Sequence, residues 1–324
     1  MELTEVGAML ADTAERLFTA HAEEIDRAAH EGVWPEAAWA AIEESGLPLA
    51  LVPEAQGGFG VPPREALMLI RQSGRHALAL PLAETMIGNA ALAAAGLSLA
   101  KGPVGLADSA NARVPWGRHA KTIVLGDDVG VQRHVGLDVS TQGTNIAGHP
   151  RDQIAAPAEQ PSSAGAVPVL ALGALARALQ MAGALERVLE MTVEHVSSRV
   201  QFGRPLAKFQ AIQQELAKLA GEVAAASAAA DHAADAYASG AEDLTFAIAV
   251  ARTRIGEAAS KAAAIAHQLH GAIGFTREHA LHRFTTALWA WRDEYGTQRH
   301  WTLIVGKRAL SAGRDGYWPM VVAA

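Results

Sequence analysis

The sequence predicts a mostly α protein with one short β module between two helical regions. Three observations point there. Alanine, the residue of highest intrinsic helix propensity, is abundant along the chain. Apolar residues recur at helical spacing over long windows beyond residue 166. Between about residues 101 and 163 the texture changes to short β-prone runs punctuated by Pro and Gly.

Residues 1–100 read as an N-terminal helical domain, with Trp39, Ile42, Leu47 and Leu49 as apolar anchors. Residues 53–60 are rich in turn formers and read as a loop, and Pro63 suits the first turn of the next helix. Residues 101–165 read as a truncated β module and linker. Val114, Pro115 and Trp116 form one short strand-like run, and Thr122, Ile123, Val124 and Leu125 form another. Gly126, Asp127 and Asp128 suit a turn, and residues 129–135 suit a returning strand. Arg133 and His134 are expected on solvated strand or loop positions, not as ligands. Pro150, Pro157 and Pro161, with Ser162, Ser163, Ala164 and Gly165, read as a loop or linker.

Residues 166–324 read as a C-terminal bundle of four or five long helices with short connections. Ile212, Leu216, Leu219 and Val223 form one amphipathic stripe, and Leu244, Ile248, Ala251 and Ile255 form a second. Breaks are expected near Gly203–Pro205, at Ser239 and Gly240, and from Gly271 to Thr276. The apolar stretch 164–185 approaches the length of a membrane span, but Pro168 and Arg177 interrupt it. It reads as a buried bundle helix.

Bulk chemistry excludes several classes. The formal net charge of −7 is spread without an acidic tail, and no basic footprint marks a nucleic-acid or membrane partner. The chain of 324 residues has no cysteine, which removes disulfides, thiolate metal sites and cysteine nucleophiles. Residues 1–10 carry acid where an export signal carries basic charge, so a cytoplasmic location is expected.

Several segments then fall into a recognisable order. They are Gly46-Leu47-Pro48-Leu49-Ala50-Leu51-Val52-Pro53-Glu54 with Gly57-Gly58-Phe59-Gly60, and Val114-Pro115-Trp116 with Ala120-Lys121-Thr122. Further on come Arg199-Val200-Gln201-Phe202-Gly203-Arg204-Pro205 with Phe209-Gln210-Ala211-Ile212-Gln213, then Gln268-Leu269-His270-Gly271-Ala272-Ile273-Gly274-Phe275-Thr276, and last residues 292–298. Together they resemble the acyl-CoA dehydrogenase family over nearly the whole chain. In particular they are similar to the degenerate subunit of its heteromeric bacterial members.

The resemblance implies FAD as cofactor, an acyl-CoA substrate and an electron-transfer flavoprotein as acceptor. It also implies an oligomer, formed with a related full-length subunit or with further copies of this chain, in which the C-terminal groups reach a neighbour's flavin. On that reading Arg199 serves the diphosphate, since a guanidinium fork matches phosphate oxygens. Phe202 offers an apolar face, and Gln201 and Gln268 serve ribose or adenine. Gly271 and Ala272 supply backbone and amide contacts. Taken singly, Arg199 is a surface arginine, His270 a satisfied polar residue and the Gly271–Gly274 stretch a helix end. Their order and spacing carry the functional reading.

The sequence also departs from the family. Its reaction needs a carboxylate base beside the thioester α-carbon. Many members carry that glutamate in a Tyr-Glu-Gly-Thr segment, and here the matching residues are Glu294, Tyr295, Gly296 and Thr297. Tyr295 stands at the base position, and a phenol with a pKa of about 10 is a poor base near neutrality. Glu294 is one residue early, about 100° away if the segment is helical. The alternative family location falls near Gly173, where no carboxylate lies, and Glu186 is several turns off. About 65 residues are too few for the family's full middle barrel.

Three functions follow. The first is a base-lacking subunit that completes a partner's FAD site. The second is a self-sufficient dehydrogenase using Glu294 or Asp293. The third is a flavin-free helical scaffold.

Overall fold

The structure is a computed structural model that describes residues 3–109, 112–126, 130–155, 163–164 and 167–323. It divides into two compact units, residues 1–180 and 181–324, with the boundary inside one long helix.

The first unit opens with α1 (Glu5–Glu31). Thr4 caps it: its Oγ1 accepts the Gly7 amide at 3.1 Å and donates to Glu65 Oε2 at 2.7 Å. Glu65 lies on α3 (Pro63–Arg75), which starts at the expected proline, so one carboxylate ties the two helices together. Between them, α2 (Glu36–Glu44) buries Trp39 and Ile42, and the following 3-10 turn buries Leu47, while Leu49 is half-buried. The loop at residues 53–60 contains a second 3-10 turn. Helix α4 (Leu82–Ala94) is buried almost all round. It carries Glu84, which accepts from the buried Arg177 on α5 (Val169–Ser198).

The β module holds two small sheets. Strands β1 (Val104–Ala107), β3 (Thr122–Gly126), β4 (Gly130–Val135) and β7 (Ser163–Ala164) form one in that order. β1 and β3 run parallel, and the other pairs are antiparallel. The second sheet is antiparallel, in the order β2 (Arg113–Pro115), β6 (Arg151–Ile154), β5 (Val139–Thr141). Ala107, Val114, Ile123 and Ile154 form the module's apolar core.

Two expectations are corrected here. Ser163 and Ala164 pair with Val131 and Gly130 as a strand instead of lying in a free linker. His134 is 2% exposed, pairs with Ile123 of β3, and its Nε2 meets Gln132 Oε1 at 2.9 Å; Arg133 is half-buried. The expected turn at Asp127 and Asp128, like Val129, Pro157, Pro161, Ser162 and Gly165, lies outside the described residues.

The module's anchor is polar. Asp152 has a fully buried side chain and takes Arg118 Nη2 at 2.5 Å and Nε at 2.9 Å. It also accepts the Arg118 and Gly143 amides at 2.9 and 3.1 Å. Burial pushes the carboxyl's pKa up, but the bonds from Arg118 outweigh it and hold the group below its ordinary value.

Helix α5 is long and apolar enough, by length and composition, to cross a membrane. Its most apolar window is 89% buried, as expected for a core helix.

The second unit takes in the C-terminal part of α5 and four more helices. These are α6 (Gln210–Ser239), α7 (Leu244–His270), α8 (Leu281–Arg292) and α9 (Gln298–Ala323), the last broken at Gly313. Gly240, with φ 66°, closes α6, and only three residues follow before α7 begins, so α6 and α7 are antiparallel neighbours. Leu219, Val223, Ala226, Ala230 and Ala233 are buried on α6, and Ala247, Ile248, Ala251 and Ile255 on α7. Of the expected stripes, Leu219, Val223, Ile248, Ala251 and Ile255 are buried in the core, while Ile212, Leu216 and Leu244 are half-buried. Arg254 on α7 pairs with Glu222 on α6.

Asp152→Ala is expected to destabilise the protein by about 3 kcal/mol, since it leaves Arg118 and the Gly143 amide without their acceptor. Because the folded pKa of Asp152 is depressed, its contribution is present above the unfolded carboxylate pKa. It is lost as the pH falls through the folded value. Urea unfolding of wild type and variant checks both; a loss below about 1 kcal/mol at neutral pH contradicts the anchor role.

Candidate cofactor site

Helix α5 ends at Ser198, and the chain turns back at once as a hairpin of β8 (Val200–Gln201) and β9 (Arg204–Pro205). Its two-residue loop is Phe202 and Gly203, with φ of 52° and 79°. Positive φ at both positions is the hallmark of a type I′ turn, whose twist matches the strands it joins. The hairpin replaces the plain break expected at Gly203–Pro205. It sets Phe202 at the tip, 90% exposed. Arg199 and Gln201 are also exposed. Arg204 lies over the Phe209 ring at 4.1 Å, and Phe209 meets Phe202 edge-on at 6.2 Å. The loop is thus braced from below while Phe202 faces solvent.

The second signature closes α7. Gln268 is exposed on its last turn, and Gly271 follows with φ 65° and ψ −147°, a region open essentially to glycine alone. A Cβ there would meet nothing within 4 Å, so the backbone is open to approach. One part of the sequence reading is corrected. The Gly271 amide is no free donor, because it closes α7 on the His267 carbonyl. Ala272 is exposed on the 3-10 turn Gly271–Phe275 that follows. His267 holds this turn by stacking on Phe275 at 4.4 Å while its Nε2 meets Thr285 Oγ1 at 3.0 Å.

An imidazole stack joins the two signatures. His195, one turn before Arg199, stacks on His270 at 4.4 Å and 24°. His270 in turn meets His279 at 4.7 Å. The ends of α5 and α7 therefore lie side by side, with Arg199 and the hairpin on one and Gln268, Gly271 and Ala272 on the other. Burial pushes His195 down, helped by neighbouring His279 and Arg199, and pushes His270 down to about 4. The sequence reading missed this stack, because nothing in one chain pairs two histidines 75 residues apart.

The catalytic-base segment lies elsewhere. Residues 293–297 are not helical, so the 100° rotation that set Glu294 aside does not apply. Tyr295 has φ 53°, is buried, and accepts Trp301 Nε1–H on its carbonyl at 3.0 Å. Glu294 is 4% exposed. The segment is shaped by Arg252 of α7, which sequence reasoning also missed. Its Nη2 donates into a cage of four carbonyls, Trp291 (3.0 Å), Arg292 (2.7 Å), Glu294 (3.0 Å) and Gly296 (3.3 Å). Arg252 stands sixteen residues before Gln268, about 24 Å along α7 at the helical rise of ~1.5 Å per residue. The structure thus gathers Arg199, Gln201, Phe202, Gln268, Gly271 and Ala272 at one end of α7 and keeps Glu294 and Tyr295 away from them. A separate concavity of about 660 Å³, lined by His232, Phe246, Arg308 and Met320 among others, holds none of these residues.

Two family models match the chain: acyl-CoA dehydrogenase N-terminal domain at residues 2–101 and acyl-CoA dehydrogenase C-terminal domain at residues 166–310. A full-length relative agrees with them. The acyl-CoA dehydrogenase IpdE2 of Mycobacterium tuberculosis is 32% identical over 292 residues, which cover 85% of this chain and 88% of the relative.

The chain belongs to the acyl-CoA dehydrogenase family.

Solved structures agree on the acyl-CoA dehydrogenase fold. One chain of the ChsE4–ChsE5 complex from Mycobacterium tuberculosis matches with a TM-score of 0.81 at 20% identity, covering 96% of this chain and 98% of that one. A variant of the steroid ACAD Tcur3481–Tcur3483 matches with a TM-score of 0.80 at 23% identity, covering 96% and 99%. The acyl-CoA dehydrogenase family is FAD-dependent. The open backbone at Gly271, the exposed guanidinium of Arg199 and the exposed ring of Phe202 fit the diphosphate and adenosine end of that cofactor.

Arg252→Met is expected to cost about 3–5 kcal/mol, the scale of leaving buried polar groups without their charged partner. Urea unfolding measures it, and the near-ultraviolet signal of Trp301 should change with it. A variant within about 1 kcal/mol of wild type contradicts the cage's role.

Proposed function

We propose that this chain is the base-lacking subunit of a heteromeric, FAD-dependent acyl-CoA dehydrogenase, and that it completes the FAD site of a related partner chain. One observation carries the reading. The cofactor signatures form an open face at one end of α7, while the residues at the base position are gathered by Arg252, which stands about 24 Å before Gln268 along that helix. Groups so placed suit two different flavins better than one compact site.

In this reading Arg199 binds the diphosphate in a charge-assisted contact. Phe202 covers the adenosine or ring edge. Gln201 and Gln268 hydrogen-bond ribose or adenine, and the Gly271–Ala272 backbone closes against the phosphates. Bound FAD supplies the hydride acceptor for dehydrogenation of the acyl-CoA between its α- and β-carbons. The partner supplies the carboxylate that removes the α-proton, because Tyr295 is a phenol. An electron-transfer flavoprotein takes the electrons onward. A steroid-derived or other bulky acyl-CoA is the substrate class this reading favours, given the relative described as a steroid ACAD.

A second reading keeps one specific observation in its favour. Glu294 is a buried carboxylate on a non-helical segment, so a self-sufficient enzyme would use it as base.

In the purified heteromer, Arg199→Ala should weaken FAD retention by about 1.5–3 kcal/mol, the worth of a hydrogen bond to a charged group. Unchanged flavin content after dialysis would sink the assignment of Arg199. Glu294→Gln should leave turnover of an acyl-CoA thioester within a few-fold of wild type. A fall of about 10³-fold or more would instead make Glu294 the base.

A further inference from the structure

We propose that His195, His270 and His279 form a zinc-type metal site that bolts the end of α5 to the turn after α7. Each imidazole offers one ligand nitrogen, and these three atoms lie within 4.8 Å of one another. Three histidines and one open position make a common coordination set for Zn²⁺, and imidazole also suits Ni²⁺ and Cu²⁺.

His270 is the best-prepared ligand. It is 5% exposed, and its Nδ1 lies 2.7 Å from the Ala266 carbonyl. A carbonyl only accepts, so Nδ1 carries the proton. That fixes the lone pair on Nε2, which is buried and has no hydrogen-bond partner among the described residues. A ring nitrogen donating to a backbone carbonyl while the other faces a metal is the usual second shell of a metal-bound histidine. A buried, unpaired ring nitrogen otherwise costs free energy with no return.

The other two rings can reach it. His195 lies on the last turn of α5 and is held to His270 by stacking, with no ring hydrogen bond among the described residues. A rotation about its side-chain torsions breaks that stack and swings a nitrogen toward His270 Nε2. His279 accepts the Leu281 amide on Nδ1 at a long 3.2 Å, so its proton sits on Nε2. On capture that proton moves to Nδ1, the long bond is given up, and Nε2 becomes the third ligand.

The test uses the full chain, stripped with EDTA and desalted. Zn²⁺ is titrated near neutral pH against a chromogenic chelator, and retained metal is counted by mass spectrometry after gel filtration. The expected result is one tightly held Zn²⁺ per chain. His195→Gln and His279→Gln, both half-buried, should each weaken it by more than about 100-fold, beyond a second-shell loss. Their thermal melts in EDTA should match wild type, which separates ligand loss from misfolding. His149→Gln, in the separate Asp26–His30–His149 group of the first unit, should leave uptake at the His195–His270–His279 site unchanged. Co²⁺ in place of Zn²⁺ should give the visible ligand-field bands of a four-coordinate site, lost in both variants. No metal retained by the wild type, or uptake unchanged in His195→Gln and His279→Gln, would overturn the proposal.

Discussion

One helix sets the distances on which the second unit's chemistry depends. Helix α7 is 27 residues long, and everything singled out in residues 181–324 is attached to it or braced against it. Arg252 near its start gathers the carbonyls that shape the Glu294–Tyr295 segment. His270 at its end stacks on His195 and so brings the Arg199 hairpin beside Gln268. A rigid rod cannot bring these ends together, so the Arg199–Gln268 face and the Glu294–Tyr295 segment stay apart.

The two places are built by different physics. The Arg199–Gln268 face is exposed, and its order comes from backbone devices: a type I′ turn beneath Phe202, a glycine-only conformation at Gly271, and histidine and phenylalanine rings stacked beside both. The Glu294–Tyr295 segment is buried, and its order comes from one guanidinium meeting four carbonyls. The first can adapt to a docking partner at little cost. The second cannot be altered without leaving buried polar groups unpaired.

Much of this was legible in the sequence, for identifiable reasons. Proline and glycine act locally, so Pro63 and Gly240 marked a helix start and a helix end correctly. Helical periodicity is also local, and most of the stripe on α7 and the later half of the stripe on α6 are buried as read. The family was legible in the ordered motifs, and the family comparisons bear it out. What stayed hidden depends on contacts distant in sequence. No pattern couples Arg252 to carbonyls some forty residues on, or His195 to His270. The rotation at Glu294 held only for a helix, and the segment is an irregular turn whose carbonyls Arg252 gathers. His134 looked solvated because its burial is a tertiary fact that the local sequence does not carry. The amide of Gly271 looked available because its bond to the His267 carbonyl belongs to the helix end and not to the motif.

The central claim is that this chain completes the flavin site of a related partner chain. The most direct measurement is the flavin absorbance spectrum and native mass of the chain purified alone, then again after co-expression with a related full-length homologue. The account predicts a colourless chain alone, and a yellow hetero-oligomer holding FAD when the homologue is present. A yellow homo-oligomer with one FAD per chain would contradict it and turn attention to Glu294 as the base.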